Sequence, residues 1–387
     1  MYKENTLSIM FAGDFAPVRR YEPMILKMTK GRIFGDLMED IKDSDIAYLN
    51  LESPLCTSSQ PIKKSGPALC GKPECIASVK EAGFSIVGLA NNHIMDYGPE
   101  GLEETISACK SNELITFGAG PDLNSASRHL LLVKKGIKLA FIAVTEHEFS
   151  LAGINKAGAA PLDPIDNIRQ IERAKKEADL VFILIHGGNE YFPLPRPGLR
   201  KICHFYAENG ADAVICNHVH VPGAYEFHNE KPIVYSLGNL IFDTINPTVD
   251  WIEGYAVKLT FNCTNKKLKE CAFIPYRQSV FEMGIKKLNG NSRDLFMSKL
   301  RHYNEIINNE ENYLNEWDHF CESAKNDTLL KMFFPFKFKG VHKMFKYFKL
   351  NKLIFPNSSI PDRTNMICCE SHHELISYIL EKEILKS

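Results

Sequence analysis

Five short apolar runs in the first 220 residues share one property: each stops at a side chain of the metal-ligating or proton-transferring kind. Residues 7–12 (LSIMFA) close on Gly13-Asp14, 46–49 open into Asn50-Leu51-Glu52, and 86–90 deliver Asn91-Asn92-His93-Ile94-Met95-Asp96. Residues 180–185 (LVFILI) end at His186, and 213–216 lead through Asn217 to His218 and His220. Apolar runs this short, bounded by turn residues, read as buried strands. Helical spacing at 33–42, 73–82, 99–111, 163–178 and 196–208 separates them, so the chain reads as a layered α/β fold. In such folds the C-terminal strand ends line a common edge where ligands bind.

One such residue carries little information, because Asp and Asn also cap helices and form turns. Strand ends bearing Asp, Glu, Asn and His, with no Ser or Cys nucleophile among them, make a metal-site inventory. The histidines at 218 and 220 cannot share a helical face, but past a strand end they can splay toward two neighbouring ions. Mixed oxygen and nitrogen donors suit Mn, Fe, Zn or Co better than Ca or thiolate-held zinc, so one or two divalent ions of that group are the expected cofactors. Two ions about 3.5–4 Å apart would hold a phosphoryl or comparable oxygen group for in-line attack. His93 is the candidate general acid or electrostatic stabiliser, and Asp96 the candidate carboxylate that orients it. The plainer alternatives are a hydrogen-bonded histidine at 186 and a turn-forming Asn50 near Pro54.

The chain of 387 residues carries 46 basic and 47 acidic side chains, with 44% hydrophobic residues. That balance describes a globular protein and argues against a nucleic-acid surface. The eleven cysteines form no C-x-x-C pair and read as mostly reduced and buried; the adjacent Cys368 and Cys369 are poor candidates for bridging each other. The N-terminal apolar run is too short for a signal segment, and no run of about eighteen apolar residues follows, so a cytoplasmic location is expected. Lys63, Lys64 and Lys72 fall in a loop over 55–72, where they either attract an anionic substrate or are simply solvated, the plainer account.

From about 284 long helical runs replace the alternation, which divides the chain into an expected α/β domain, 1–283, and a mainly helical C-terminal extension, 284–387. Within the extension, residues 331–350 interleave six lysines with aromatics. The aromatics either enter an anionic membrane surface, giving peripheral membrane contact, or pack onto the α/β domain. Pro335 and Gly340 break any continuous amphipathic helix and favour the second. A capping box at Ser371-His372-His373-Glu374 opens a last expected helix through 385.

The series GDFAP, NLESPL, GLANNHIMDYG, HGGNEY, DAVICNHVHV and IVYSLGNLIFD, over residues 7–243, resembles in order and spacing the CapA-type bacterial capsule synthesis proteins, also called the PGA-cap or poly-γ-glutamate capsule family. That family is similar to the calcineurin-like metallophosphoesterases. The resemblance therefore implies a four-layer α/β/β/α metallophosphoesterase-like sandwich with a dinuclear site at its strand ends. It implies Asp14 and Glu52 as carboxylate ligands, Glu52 as the bridge, Asn92, His186 and His218 on one metal, His220 on the other, and His93 as the catalytic histidine. Asn50, Asn91, Glu190, Tyr191 and Asn239 fall to the pocket wall or to the side chains behind the ligands.

Two departures stand out. Many dinuclear phosphoesterases carry D-x-H in the first motif, whereas Phe15 and Ala16 follow Asp14, so one metal position loses an imidazole. Where the capsule family commonly has Gly before its histidine pair and Pro between the two, this chain has Cys216 and Val219, which puts a side chain in place of a permissive turn glycine. The implied function is a metal-dependent hydrolase in capsule or exopolymer production, acting on an anionic polymer or phosphoester and working with capsule-synthesis machinery. The alternative is a non-catalytic assembly component that binds polymer in the same pocket.

Overall fold

The first strand, Thr6–Ala16, is buried at every residue from Ile9 onward, as a strand covered on both faces must be. The structure is a computed structural model that describes residues 5–27, 32–64, 66–279, 284–333, 341–348 and 350. In its first sheet the strand order is Lys286–Lys287, Leu268–Arg277, Glu253–Asn262, Thr6–Ala16, Ile46–Leu51, Ile86–Gly88 and Ile115–Phe117. The strand Asn239–Phe242 adds to the far end of the first strand, pairing Asn239 with Asp14.

The second sheet runs Tyr225–His228, Lys231–Val234, Ala213–Asn217, Leu180–His186, Ile137–Thr145 and Leu130–Lys134. Its four inner strands are parallel, and each edge strand is antiparallel to its neighbour. The two sheets face each other through aromatic side chains. Phe182 lies 5.7 Å, centroid to centroid, from both Phe11 and Phe261, and Phe117 lies 6.2 Å from Phe141. Helices Ile76–Ala82 and Gly98–Ser111 cover the first sheet, and Pro164–Glu177 and Pro197–Glu208 cover the second, so the architecture is the α/β/β/α sandwich.

The chain divides into two compact units, residues 1–314 and 315–387. Helix Gly290–Ile307, which the sequence places in a helical extension starting at 284, contributes Phe296 and Leu300 to the core of the first unit. Tyr313 is buried there as well; its hydroxyl donates to Pro195 O at 2.8 Å, and the Arg200 guanidinium lies 5.0 Å over its ring. Of the second unit, the described part is helical: 315–333, the end of helix Glu310–Phe333, and helix Val341–Tyr347. Residues 334–340 and 349 of the lysine-aromatic stretch, and the helix expected over 371–385, lie outside the described residues. No described helix is long and apolar enough to cross a membrane.

Candidate metal centre

Both sheets end at one edge. In the first, Asp14 pairs with Asn50 and Asn50 with Gly88; in the second, Asn217 and Thr145 pair with His186. The segments leaving these strands carry Glu52, Asn92 with His93, and His218 with His220. The first strand shifts register between Phe11 and Asp14 against Ile46–Leu51 and between Asp14 and Phe15 against Asn239–Phe242, irregularities of the kind that re-aim a side chain. Gly13 permits the close approach this needs, since a β-carbon there would lie 1.9 Å from Gly238 O.

Four elements bring the acids and imidazoles together. Glu52, His186 and His218 form one group with ligand atoms within 4.8 Å of one another, and Asp14, Glu52 and His220 form a second. Glu52 belongs to both, 3.6 Å from His186 Nε2 and 3.6 Å from His220 Nε2. Asn92 Oδ1 lies 3.0 Å from His186 Nε2, and His218 Nδ1 lies 3.1 Å from the same nitrogen. The second group holds one histidine, and Phe15 and Ala16 follow its Asp14.

The surrounding residues orient these donors. Asn50 Nδ2 donates to Asp14 Oδ1 at 2.8 Å and lies 3.2 Å from His186 Nδ1, so it sits in a strand and braces two site residues instead of forming a turn. The His218 amide donates to Asp14 Oδ2 at 3.1 Å. Asn239 Oδ1 lies 3.0 Å from His220 Nδ1, while its amide donates to His220 O and Trp251 O, each at 3.1 Å. Asn91 fixes the next loop, donating to Leu51 O at 2.7 Å and accepting from the His93 amide at 3.1 Å. Cys216 lies in the extended strand Ala213–Asn217, where a side chain costs nothing; the left-handed turn falls instead on His218 (φ 105°) and His220 (φ 65°). Non-glycine residues held there cost energy and persist where the surroundings fix them, commonly at functional sites.

The electrostatics are those of a site short of positive charge. Both Glu52 carboxylate oxygens are buried with no hydrogen-bond partner, and burial, then the neighbouring Asp14, pushes its pKa well above the usual range. Burial lifts Asp14 to about 6 against the opposing hydrogen bonds from Asn50 and the His218 amide. Burial also lowers His186 well below its ordinary value, lowers His218, and takes His220 down to about 3. The imidazoles are therefore neutral, the form that ligates metal, and cannot neutralise the acids. A divalent cation fits this donor set: it would supply the charge that Glu52 and Asp14 lack and accept the neutral nitrogens.

Beside the two groups, His93 Nδ1 lies 2.6 Å from Asp96 Oδ2. Lys64 Nζ donates to Asp96 Oδ1 at 2.5 Å and to Asn92 O at 3.3 Å, and its side chain is only 3% exposed. The solvated-loop reading thus fails for Lys64: the 55–72 loop turns back over the site, where a carboxylate and a carbonyl oxygen receive the ammonium. Tyr191 is 58% exposed and stacks on Trp251 at 5.9 Å, at the rim, with Glu190 exposed next to it. Trp251 lies 4.8 Å from the His220 ring and Phe242 lies 5.0 Å from it, an aromatic wall. Neither Lys64 nor Trp251 stands at a strand end, so the signal that found the other residues could not find them.

Fold and site together define a two-sheet α/β protein with candidate metal-holding groups of acids and imidazoles at a shared sheet edge. The family model described as "Bacterial capsule synthesis protein PGA_cap" matches residues 8–244, and the chain belongs to that family. Among curated relatives, a PGA biosynthesis protein CapA of Bacillus subtilis is 31% identical over 247 residues, 62% of this chain and 65% of that protein. A capsule biosynthesis protein CapA of Bacillus anthracis is 29% identical over 252 residues, 62% of this chain and 61% of that protein. The matches thus span less than two thirds of these relatives. Among solved structures, a calcineurin-like phosphoesterase of Bacillus subtilis aligns over 78% of this chain and 99% of its own, at 13% identity and a TM-score of 0.44.

Proposed function

We propose that the chain is a metal-dependent hydrolase of the phosphoesterase type, serving capsule or poly-γ-glutamate-type exopolymer production. The observation that carries this reading is Glu52, whose two carboxylate oxygens are buried without a partner between His186 and His220. A carboxylate in that position is costly unless a cation completes it. Glu52, His186, His218 and Asn92 would hold one divalent ion, and Glu52, Asp14 and His220 a second, less fully surrounded one; Mn, Fe, Zn and Co suit the donors. When bound, such ions polarise a phosphoryl or comparable oxygen and lower the pKa of a coordinated water.

The chain's own residues supply the rest. Asp96 accepts from His93 Nδ1–H, which fixes the tautomer and leaves Nε2 as the nitrogen that exchanges a proton with the leaving group. Lys64 Nζ lies 3.2 Å from His93 Nδ1 but cannot donate to a nitrogen that carries a proton, so it donates to Asp96 Oδ1 and helps fix that carboxylate. Asn50 and Asn239 keep Asp14 and His220 turned toward Glu52. An anionic polymer or a phosphoester is the substrate class that fits a site built around cations.

The test is metal analysis of the purified chain, then assay on generic phosphoesters with His93→Ala as control. Bound metal with activity that the variant loses supports the hydrolase. Absence of metal after reconstitution with Mn or Zn refutes it. Metal with no activity favours a non-catalytic capsule assembly component, the reading that the single-histidine group around Asp14 supports.

A further inference from the structure

Cys56 and Cys70 bracket the loop that carries Lys64. Leu55 and Gly71 form a parallel bridge between the two ends of that loop, with the Cys56 amide donating to Gly71 O and the Gly71 amide to Pro54 O, each at 3.0 Å. The approach is close, since a β-carbon at position 71 would lie 2.9 Å from Pro17 and 3.0 Å from Leu55. It brings the two sulfurs to 2.9 Å of each other, and both are free thiols. The loop between them reaches Asp96 three times: the Ile62 amide donates to Asp96 O at 2.8 Å, Lys64 Nζ to Oδ1 at 2.5 Å, and the Leu69 amide to Oδ2 at 2.7 Å.

We propose that Cys56 and Cys70 are a disulfide-forming site, and that the bond locks this loop onto the His93–Asp96 pair. The oxidant is a small-molecule disulfide of the glutathione class. Cys70 is partly exposed and Cys56 is only 4% exposed, so the reaction starts at Cys70. The Cys70 thiolate attacks one sulfur of the reagent and expels one small thiolate, leaving a mixed disulfide. The Cys56 sulfur, its proton passing to solvent, then attacks the Cys70 sulfur and expels the second small thiolate. Two protein thiols and one small disulfide become one protein disulfide and two small thiols, with two electrons passing to the reagent.

The bond replaces the hydrogen bond from the Cys70 thiol to Cys56 O, at 3.1 Å, and adds covalent closure to a loop otherwise held by polar contacts and by Leu69, which is buried in the cluster with Val18, Phe242 and Trp251. A second pair, Cys203 and Cys216, has sulfurs 3.8 Å apart, but both residues are fully buried and offer a reagent no route. The proposal therefore names one pair among the described cysteines. Its chemistry does not depend on the metal reading above.

The test uses the full native chain equilibrated with glutathione at rising oxidised-to-reduced ratios, then alkylated and analysed by intact mass, peptide mapping and amide hydrogen exchange. The expected result is loss of two hydrogens per chain, a crosslinked peptide joining Cys56 to Cys70, and Cys203 and Cys216 alkylated only after denaturation. Cys70→Ser removes the crosslink. Exchange across 57–69 slows at least about tenfold in the oxidised chain, the mark of a suppressed local opening. A glutathione adduct on Cys70 with Cys56 still alkylated, or both thiols free at every ratio, overturns the site. A crosslink with unchanged exchange overturns the lock.

Discussion

Glu52 and Glu226 are both buried carboxylates, and their surroundings are opposite. Around Glu226, Arg200 donates through Nε and Nη2 at 3.2 and 3.1 Å, His204 Nε2 lies 2.7 Å away, and the Tyr235 hydroxyl also donates. Burial alone would raise its pKa, but these hydrogen bonds outweigh it and hold the group at about 2. Around Glu52 the chain offers no donor to either oxygen, and the pKa is driven well upward. A chain able to satisfy one buried acid so completely leaves the other unsatisfied beside three neutral imidazoles. Glu226 is completed from within the fold, and Glu52 is shaped for a charge from outside.

Swapping each carboxylate for its amide should separate the two sites most sharply. Glu52→Gln should cut divalent-metal affinity by more than about 100-fold, since it strips the shared ligand from both groups. It should also leave the metal-free chain no less stable, because an uncompensated charge is removed; calorimetric titration and thermal melts read the two effects. Metal binding undiminished in this variant would show that Glu52 is not a ligand.

Within the site, His218→Ala should cost about ten times more metal affinity than His220→Ala. His218 shares its group with His186 and Asn92, whereas His220 sits in the sparser group with Asp14. Equal losses would show that the two positions are equally well furnished.

Glu226→Gln should do the reverse of Glu52→Gln, lowering unfolding free energy by about 2–3 kcal/mol in urea titrations while leaving metal content unchanged. The partial exposure of Arg200 and His204 keeps this below the cost of a fully buried pair.

The smallest effect is in pH. Glu226, ordinarily near 4.5 and held at about 2, contributes stability that is complete above pH 4.5 and is lost as pH falls toward 2. Asp14, raised from 3.8 to about 6, behaves oppositely in the metal-free chain: its contribution is complete below pH 3.8 and is lost as pH rises through 6. Saturating Mn should abolish that second loss, because the cation takes the proton's place. Denaturation measured from pH 3.5 to 7 with Mn or with a chelator separates the two slopes.

The edge of the sandwich was legible because folding itself writes it into the sequence. A strand buried on both faces must be apolar, so a polar residue at its end, such as His186, marks where the core stops, and Asp14 breaks the apolar run of a strand that continues through buried Phe15 to Ala16. Nothing of that kind marks Lys64, whose neighbours in sequence are those of a solvated loop and whose partner, Asp96, is 32 positions away. Asn50 reads as a turn former until its strand neighbours, Asp14 and Gly88, are known. The Glu226 cluster draws Arg200 and His204 from one helix and Tyr235 from beyond the next strand, and the Cys56–Cys70 approach depends on the Leu55–Gly71 bridge. Each is a contact between distant positions with no local pattern to announce it.

Whether a divalent cation completes Glu52 can be read from crystals grown with zinc, by anomalous scattering at the metal edge. The expected result is a peak about 2.0–2.2 Å from a Glu52 carboxylate oxygen, the zinc–carboxylate range, with His186 and His218 nitrogens also ligating. A map with no peak there, and with Glu52 instead hydrogen-bonded to protein donors, would contradict it.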